Sequence, residues 1–376
     1  MTQYIFPHII GSYGVVFKGI RNLKKLNGQV LVGNGDTCET HNKINHGKNY
    51  HYDTANPLLN GTEQSDLDEN GNIKKYAIKR IFPTINAAFI LIEMLILKYL
   101  NGESNVTELI QGYRLEGQVS LVFRYQKSQP FLTFLNDFDL TEIKHYMYCM
   151  LKAVEHLANN GIMHRDIKPS NFLYDNNTRT GLLIDFGLSE LELNTSSKPV
   201  KNEDNECVKK IAALQKQLKI RNRTGTKGYM PPEALFNYHT QSSAVDIWAC
   251  GVIFLSFCAR RHPVFSLNNS SKIKNFTISN LIPLTCLFGS NALKEIGFKY
   301  GYGSIIPDEM QKEKIPWTKL CKINDPDAFD LLDKMLELDH TKRIKATDAL
   351  QHPFFNEIRA EKEGFSVQQP MADLNV

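Results

Sequence analysis

Four polar side chains in one short stretch are of the types that move a phosphoryl group. Asp166, Lys168 and Asn171 lie in the run His-Arg-Asp-Ile-Lys-Pro-Ser-Asn, and Asp185 follows them after an apolar segment. Asp166 would accept the proton of an attacking hydroxyl, and Lys168 would neutralise the phosphate in transfer. Asn171 and Asp185 offer amide and carboxylate oxygens, which suit a hard cation such as Mg²⁺. The residue types therefore predict a centre for Mg²⁺-dependent phosphoryl transfer.

The flanking residues predict the elements that bring these four side chains together. Residues 139–159 have apolar side chains at helical spacing, and this helix leads into the loop with the first three polar residues. Asn176, Asn177 and Gly181 indicate the turn of a hairpin, and its second strand delivers Asp185. We therefore expect the four side chains to converge at one end of a small sheet.

Bulk properties bound the class of protein. The 376 residues suffice for one large core or two, so an enzyme with two lobes is reasonable, and a net charge of +4 does not suggest direct nucleic-acid binding. No apolar run reaches the roughly twenty residues that a membrane helix needs. The seven cysteines are scattered without a Cys-x-x-Cys pair, and the N-terminus lacks a signal-peptide pattern. We expect an intracellular protein with reduced thiols and no membrane contact.

Two upstream features suit nucleotide binding. Gly11 and Gly14 lie at a predicted strand turn, where backbone N–H groups without a neighbouring Cβ can approach phosphate. A later strand pattern ends in Lys79, and the predicted helix 86–100 carries Glu93 on its inner face. Because a buried glutamate needs a cationic partner, we expect Lys79 to pair with Glu93.

Together these motifs resemble the eukaryotic protein kinases. His-Arg-Asp at 164–166 and Asp-Phe-Gly at 185–187 would each suit a surface loop or a turn alone, but their order and spacing match the kinase signatures. The run Gly-Thr-Lys-Gly-Tyr-Met-Pro-Pro-Glu at 225–233 is similar to the end of a kinase activation segment. The resemblance implies an α+β, bilobal fold, with a small antiparallel sheet and one key helix in one lobe and a larger, mainly helical second lobe.

The resemblance also implies which residues bind ATP. The positions are Gly11, Gly14, Val16, Ala77, Lys79, Glu93, Phe123, Arg124 and Gln126. Val16 would cover the adenine, Phe123 would guard the back of the pocket, and the backbone of 124–126 would form the adenine-binding hinge. Lys79 would hold the α and β phosphates. Ile9 stands where the family has its first loop glycine, which departs from the pattern.

The catalytic set follows from the same resemblance. The implied catalytic residues are Asp166, Lys168, Asn171 and Thr226, and the implied Mg²⁺ ligands are Asn171 and Asp185. Thr226 would hydrogen-bond Asp166 and Lys168 and shape the site for a hydroxyl substrate. Asp246 would hold the catalytic loop's backbone. An ion pair between Arg343 and Glu233 would be structural.

A narrower resemblance concerns the branch of kinases. The lysine two residues after Asp166 is typical of the serine/threonine class. The runs at 168–174, 225–233 and 330–336 are similar to the cell-division-cycle seven kinases. This similarity implies a nuclear cell-cycle enzyme that promotes the initiation of DNA replication. It also implies a regulatory activator subunit and protein substrates such as minichromosome maintenance helicase subunits.

Two other functions remain open from the sequence. One is an active kinase of a casein-kinase-like or cyclin-dependent-like branch. The two kinase hypotheses differ in whether the purified chain is active alone or only with its activator. The other is a pseudokinase scaffold, suggested by Ile9 and by the long insertions. The scaffold is opposed by the presence of every charged or amide side chain that the chemistry needs, namely Lys79, Glu93, Asp166, Asn171 and Asp185.

The resemblance to protein kinases also predicts the domain organisation. We expect an N-lobe over 1–125 with a disordered insertion at about 22–72, and a C-lobe over 126–358 with insertions at about 194–220 and 262–315. Within the predicted insertion at about 194–220, residues 206–219 have apolar side chains at helical spacing. A polar tail is expected from 359 to 376.

Arg221 and Arg223 beside Thr224 raise a hypothesis about regulation. A phosphate on Thr224 would pair with nearby arginines, including Arg165, and order the activation segment, residues 185–233. The alternative is that Thr224 lies in an exposed polar loop. We favour this alternative, because an activator subunit could order the segment instead.

Overall fold

The structure, a computed structural model, describes residues 6–11, 14–20, 30–32, 75–115, 117–192, 205–218, 225–265, 276–302 and 312–367. The chain divides into two units, residues 1–101 with 107–125 and residues 102–106 with 126–376. Within the described ranges, no helix is long and apolar enough to cross a bilayer.

The first unit consists of an antiparallel sheet and one helix. Its strands are β1 (Phe6–Gly11), β2 (Gly14–Ile20), β3 (Val30–Val32), β4 (Lys75–Ile81), β5 (Leu109–Leu115) and β6 (Gln118–Arg124). They lie in the order β1-β2-β4-β6-β5-β3. Helix α1 (Ala87–Leu100) packs on this sheet through an apolar cluster of Ile81, Ile90, Met94 and Leu121. The predicted sheet and its one helix are both present.

Strand β3 lies inside the stretch that the sequence predicts to be a disordered insertion. It pairs with β5, with Val30 opposite Tyr113 and Val32 opposite Gly112. Three residues are too few to reveal strand periodicity within a polar run, so the sequence carries little signal for this strand. The other residues of 22–72 lie outside the described part of the chain.

Helix α1 begins and ends at residues that satisfy its free backbone groups. The Asn86 side chain accepts a hydrogen bond from the Ala88 N–H at 2.9 Å. At the other end Asn101 adopts a left-handed conformation with φ 53° and donates its N–H to the Leu97 carbonyl. The predicted helix 86–100 is confirmed, with Asn86 as its cap rather than its first residue.

Asn86→Ala is expected to loosen α1. Loss of an N-cap costs about 1 kcal/mol, which is about a fivefold rise in the opening equilibrium of the helix. Hydrogen exchange of the α1 amides, followed by mass spectrometry, would measure this rise. Asn86→Asp keeps a capping oxygen and serves as the control. Equal exchange in wild type and Asn86→Ala would contradict the assigned cap.

The second unit is mainly helical. Its helices are α2 (Phe131–Asp137), α3 (Leu140–Asn159), α4 (Glu206–Gln217), α5 (Pro232–Leu235), α6 (Ala244–Ala259), α7 (Phe276–Phe288), α8 (Ser290–Lys299), α9 (Trp317–Leu320), α10 (Pro326–Met335), α11 (Ala346–Leu350) and α12 (Asn356–Val367). Two antiparallel strand pairs accompany them, β7 (Ile162–Met163) with β10 (Glu190–Leu191) and β8 (Phe172–Asp175) with β9 (Thr180–Leu183). Short 3-10 turns lie at Pro169–Asn171 and Pro353–Phe355.

Helices α3 and α6 form the centre of the second unit. The predicted apolar face of α3 is buried throughout, at Ile143, Tyr146, Met147, Met150, Leu151, Val154 and Leu157. Helix α6 is buried on all sides from Val245 to Ala259. A helix that is apolar all round must lie inside the protein, so α6 provides a rigid base for the loops that contact its N-terminus.

The β8–β9 hairpin confirms the predicted hairpin but corrects its turn. Gly181 lies in β9 opposite Tyr174, and the turn consists of the residues before Thr180. A Cβ on Gly181 would lie 2.2 Å from the ring of Phe172. The glycine is therefore required by ring packing within the strand pair and not by a turn.

Helix α12 occupies residues that the sequence predicts to be a polar tail. It continues to Val367 and contacts α3 through an ion pair of Glu357 with Lys144 at 2.8 Å. Glu361 also lies 3.3 Å from His145, whose imidazole pKa is lowered mainly by burial. Because charged contacts contribute to its attachment, apolar periodicity gives little sign of this helix. The helix predicted at 206–219 is confirmed as α4, and α7 and α8 lie within the predicted insertion 262–315.

Candidate active site

In the first unit, Lys79 of β4 and Glu93 of α1 form a buried ion pair. Lys79 Nζ lies 2.7 Å from Glu93 Oε1, and the two residues are 6% and 4% exposed. Removal of one partner from such a pair leaves an uncompensated buried charge, which is strongly unfavourable. The predicted pairing is present, and it fixes the ammonium group relative to the sheet.

The strands beside Lys79 place the other predicted nucleotide-binding residues of this unit. Ala77 lies opposite Phe123 in the β4–β6 pair, and Phe123 packs against the apolar cluster under α1. The side chain of Arg124 is exposed and pairs with Glu108 at 2.7 Å. The side chain of Arg124 is thus part of a surface ion pair, so a hinge role would belong to its backbone.

The glycine turn joins β1 and β2. Gly11 lies opposite Gly14 across the two-residue connection, and Val16 lies opposite Lys79 of β4. The two connecting residues are outside the described part of the chain. The register therefore places both glycines at the tip of one strand pair and Val16 directly across from the buried lysine position.

In the second unit, Asp166 is the centre of a hydrogen-bonded cluster. Its Oδ2 accepts from Lys168 Nζ at 2.7 Å and from Asn171 Nδ2 at 3.1 Å. Its Oδ1 accepts from the Thr226 hydroxyl at 2.5 Å and from the Thr226 N–H at 3.2 Å. Lys168 Nζ also donates to Thr226 Oγ1 at 2.8 Å. All four predicted catalytic residues thus meet around one carboxylate.

Helix α6 supports the backbone of this loop. Asp246, in its first turn, accepts the N–H of His164 at 2.7 Å and the N–H of Arg165 at 2.8 Å. Burial raises the pKa of Asp246, although the adjacent His164 and the two N–H groups partly oppose that rise. Arg165 adopts a left-handed conformation with φ 69°, which the two bonds to Asp246 help to hold.

Asp185 follows β9 after one residue, Ile184, and that residue is hydrogen-bonded to Asn171. The Ile184 N–H donates to the Asn171 carbonyl at 2.9 Å, and the ring of Phe186 lies edge-on to His164 with centroids 4.9 Å apart. Asp185 itself has φ 64°, a left-handed conformation that aspartate tolerates better than most residues. The hairpin therefore brings Asp185 to the loop that holds Asn171.

The oxygens of Asn171 and Asp185 fit a magnesium ion whose other ligands are mostly water and phosphate. Asn171 uses its Nδ2 on the backbone and side chain of Asp166, so its carbonyl oxygen is the atom suited to a cation. In the described ranges, no group of three or more His, Cys, Asp or Glu side chains is arranged to hold a metal by itself. Mg²⁺ is usually bound by one or two protein ligands together with substrate phosphates, which agrees with an Asn–Asp pair.

Gly225 allows the activation segment to approach the catalytic loop closely. A Cβ on Gly225 would lie 2.5 Å from the backbone oxygen of Arg165. This approach sets Thr226 against Asp166. A small pocket adjoins the contact, lined by Asp166, Thr226, Tyr229, Met230, Gln241 and Asp246 among others.

Gln126 and the Arg343–Glu233 pair complete the predicted set. Gln126 Nε2 donates to the Lys127 carbonyl at 3.2 Å and to Thr180 Oγ1 at 3.4 Å. Arg343 binds Glu233 with two hydrogen bonds, at 2.6 and 3.0 Å, and both side chains are fully buried. The predicted ion pair is confirmed and lies at the C-terminal end of the activation segment.

One close neighbour of the cluster was not predicted. Arg165 donates to Glu190 at 2.5 Å and to Gln241 at 3.0 Å. In the sequence Glu190 is one acidic residue in a mixed polar run, so no periodicity or motif marks it. Arg221, Arg223 and Thr224, which carry the hypothesis of a phosphorylated segment, lie outside the described residues.

Comparison with known proteins agrees with this geometry. The protein kinase domain family matches residues 66–355. A cell division control protein 7 homolog of Encephalitozoon cuniculi is 34% identical over 310 residues, covering 76% of this chain and 86% of the relative. The cell cycle serine/threonine-protein kinase hsk1 of Schizosaccharomyces pombe is 32% identical over 78% of this chain and 64% of its own length. The cell cycle protein kinase spo4 of the same yeast is 31% identical over 78% of this chain and 76% of its own length.

Proposed function

The chain belongs to the protein kinase family and, within it, to the cell-division-cycle seven kinases, and on this premise we propose that it promotes the initiation of DNA replication. It is an ATP-dependent protein serine/threonine kinase of the cell cycle. Its products are therefore phosphorylated serine or threonine side chains. The observation that carries the assignment of its active site is the cluster of donors around the Asp166 carboxylate.

Asp166 acts in this proposal as the base for the substrate hydroxyl. Lys168, Thr226 and Asn171 hold its two oxygens, so the carboxylate needs little reorganisation when the hydroxyl proton arrives. Lys168 lies between Asp166 and Thr226 and places a positive charge where the transferring phosphoryl group gains negative charge. Thr226 links the activation segment to the base and thereby couples the position of the segment to catalysis.

Asp185 and Asn171 would hold Mg²⁺ through their oxygens, and Mg²⁺ when bound neutralises the charge of the ATP phosphates. Lys79, fixed by Glu93, binds the α and β phosphates. Gly11 and Gly14 admit phosphate at the turn between β1 and β2.

We propose the adenine contacts from the strand register and from the resemblance to protein kinases. Val16 and Ala77 lie on the neighbouring strands β2 and β4, and both contact the base. Phe123 limits the depth of the pocket. The backbone of Arg124 and Gln126 bonds the edge of the adenine.

Gly225→Ala is expected to lower kcat by about a hundredfold, because displacement of a reacting group by about 1 Å can have an effect of this size. The added Cβ would meet a backbone oxygen, which cannot rotate away, so the segment with Thr226 must shift from Asp166. Steady-state kinetics with a serine peptide would measure the loss.

Gly117→Ala is the control for the Gly225 variant, since a Cβ there would meet no atom of the described residues within 4 Å and Gly117 belongs to the first unit, whereas Asp166 belongs to the second. The left-handed φ of 83° at Gly117 adds local strain to the control, so its unfolding temperature is recorded as well. A Gly225→Ala enzyme with unchanged kcat would show that the close contact with Arg165 does not position Thr226.

We propose further that the enzyme works in the nucleus with a regulatory activator subunit. Its substrates would include subunits of the minichromosome maintenance helicase. The support is the similarity to relatives named for cell division control and the cell cycle. The kinase would then be inactive or weak alone, because it would depend on the activator to reach its active conformation.

Purification tests this proposal. The tagged chain is isolated alone and with its copurified partner from the source cells, and each preparation is assayed with ATP, Mg²⁺ and purified helicase subunits. We expect transfer of phosphate to the helicase only with the partner. Equal activity of the chain without any partner would overturn the requirement for an activator.

A further inference from the structure

A buried ion pair beside the proposed base has no part in the chemistry described above. Arg165 Nη1 donates to Glu190 Oε2 at 2.5 Å, and the two charged side chains are 5% and 6% exposed. Arg165 Nη2 donates to Gln241 Oε1 at 3.0 Å. Arg165 also precedes Asp166 directly, so the position of its side chain bears on the backbone of the base.

The strand that carries Glu190 is bonded to the residues that lead into the catalytic loop. β10 pairs with β7, with Glu190 opposite Met163. On either side, the Ser189 hydroxyl donates to the His164 carbonyl at 3.3 Å and the Glu192 N–H donates to the Gly161 carbonyl at 2.9 Å. The carboxylate of Glu190 is thus delivered to Arg165 by a strand with fixed register.

Helix α4, within the predicted insertion of the activation segment, supports the same strand. Gln215 is 2% exposed, and its side-chain oxygen accepts the Leu191 N–H at 2.9 Å. Val208 and Ile211 of the same helix are also buried. A buried amide that bonds a strand edge and two buried apolar residues hold α4 in place, so the insertion contributes to the position of Glu190.

The surroundings of Arg165 disfavour a second anion. Asp246 lies next to it and accepts its N–H, and the carboxylate of Glu190 is buried against its guanidinium. A phosphate that bound Arg165 would lie beside these two carboxylates. Like charges at such short range repel, which disfavours the phosphate there.

We propose that Glu190 is the positioning residue that fixes Arg165 and, through the adjoining peptide, the carboxylate of Asp166. The catalytic loop of this kinase is therefore set by a carboxylate of its own chain, and phosphorylation of the activation segment is not required for activity. This inference rests on the proposed function of Asp166 and describes how the same site is regulated.

The first test is Glu190→Gln in the complex copurified with its partner. The substitution keeps the size of the side chain and removes its charge. We expect kcat to fall by about tenfold or more, since small displacements of a reacting group have effects of this order. The KM for ATP should remain within about twofold, because Glu190 does not contact nucleotide. Because a smaller folded fraction would also lower the apparent kcat, kcat is expressed per ATP-binding site, titrated by calorimetry on the same preparation.

Three further variants sharpen the result. Glu190→Asp retains the charge and should recover part of kcat. Arg165→Gln combined with Glu190→Gln should lose no more than the worse single variant, because the two residues act as a unit. Glu357→Gln removes a carboxylate from another partly buried ion pair, with Lys144, and is the matched control that should keep wild-type kcat.

The second test removes every phosphorylatable hydroxyl between residues 193 and 224. These are Thr195, Ser196, Ser197 and Thr224. With all four changed to alanine, kcat should remain within about twofold of wild type, well below the thousandfold or larger effects of missing catalytic groups. This test does not depend on the folding of the Glu190 variants.

The outcomes distinguish failure of the role of Glu190 from failure of the proposed function. A large loss of kcat in the fourfold alanine variant, or an unchanged kcat in Glu190→Gln, would overturn the role of Glu190. A wild-type complex that transfers no phosphate at all would reject the proposed function itself, and the role of Glu190 with it.

Discussion

Asp166→Asn should abolish phosphoryl transfer while ATP still binds. The amide cannot accept the proton of the substrate hydroxyl, and we expect kcat to fall by about a hundred- to ten-thousandfold, the range that a positioned general base contributes. The substitution keeps the size of the side chain, but the amide has one oxygen, so it can accept from Lys168 or from Thr226 and not from both. Steady-state kinetics and ATP binding by calorimetry would be measured on the same preparation.

Two observations would count against this role. One is turnover by Asp166→Asn close to wild type, with folding intact. The other is loss of ATP binding in parallel with kcat, which would indicate a defect in nucleotide binding and not in proton transfer. Asp330→Asn is the control, because Asp330 is an exposed carboxylate of the same unit whose contacts are with Lys334 and His352.

Lys79→Met should lose activity mainly through misplaced phosphates. The methionine fills a similar volume but leaves Glu93 buried without its cation, so α1 is expected to shift or Glu93 to take up a proton. Because the phosphates are then poorly aligned for transfer, we expect kcat to fall by about a hundredfold or more. The KM for ATP should change less than kcat.

The matched control is Lys75→Met in the same strand, since Lys75 is exposed. If Lys79→Met kept wild-type kcat and Lys75→Met did too, the ion pair would have no part in placing phosphate. If only the KM for ATP rose, Lys79 would bind ATP equally in the ground state and in the transition state. It would then not align the phosphates for transfer.

The sequence predicts the parts of the site that depend on local pattern. Glu93 could be paired with Lys79 because a charged residue on the inner face of an apolar helix needs a partner. The amphipathic helix 139–159 predicts the position of the loop with Asp166, and the apolar strand before Asp185 predicts the position of the second proposed Mg²⁺ ligand. In each case a short segment contains the physical reason for its own structure.

The parts that the sequence does not predict depend on contacts between distant segments. Glu190 is one of several acidic residues, and only the β7–β10 pairing brings it to Arg165. Gly181 resembles a turn glycine, but the ring of Phe172 is what excludes a side chain there. Helix α12 is attached to α3 by the Lys144–Glu357 ion pair and the His145–Glu361 contact, which the spacing of apolar residues does not predict.

The insertion at about 194–220 also shows that the sequence predicts local structure better than contacts between distant segments. The spacing of apolar residues predicts a helix at 206–219, and α4 is present. That spacing does not predict which surface the helix covers. The bond from Leu191 to Gln215 shows that α4 supports the strand with Glu190, a role that composition alone would not suggest.

One single-turnover experiment tests the central claim most directly, namely that the cluster around Asp166 transfers phosphate from ATP to a protein hydroxyl. The complex, as wild type and as Asp166→Asn, is mixed with radiolabelled ATP, Mg²⁺ and an acidic serine peptide, and label in the peptide is measured over time. The account predicts transfer by wild type, none by Asp166→Asn on the same timescale, and equal ATP binding by both. Label that appeared in the peptide at the same rate with either enzyme would contradict it.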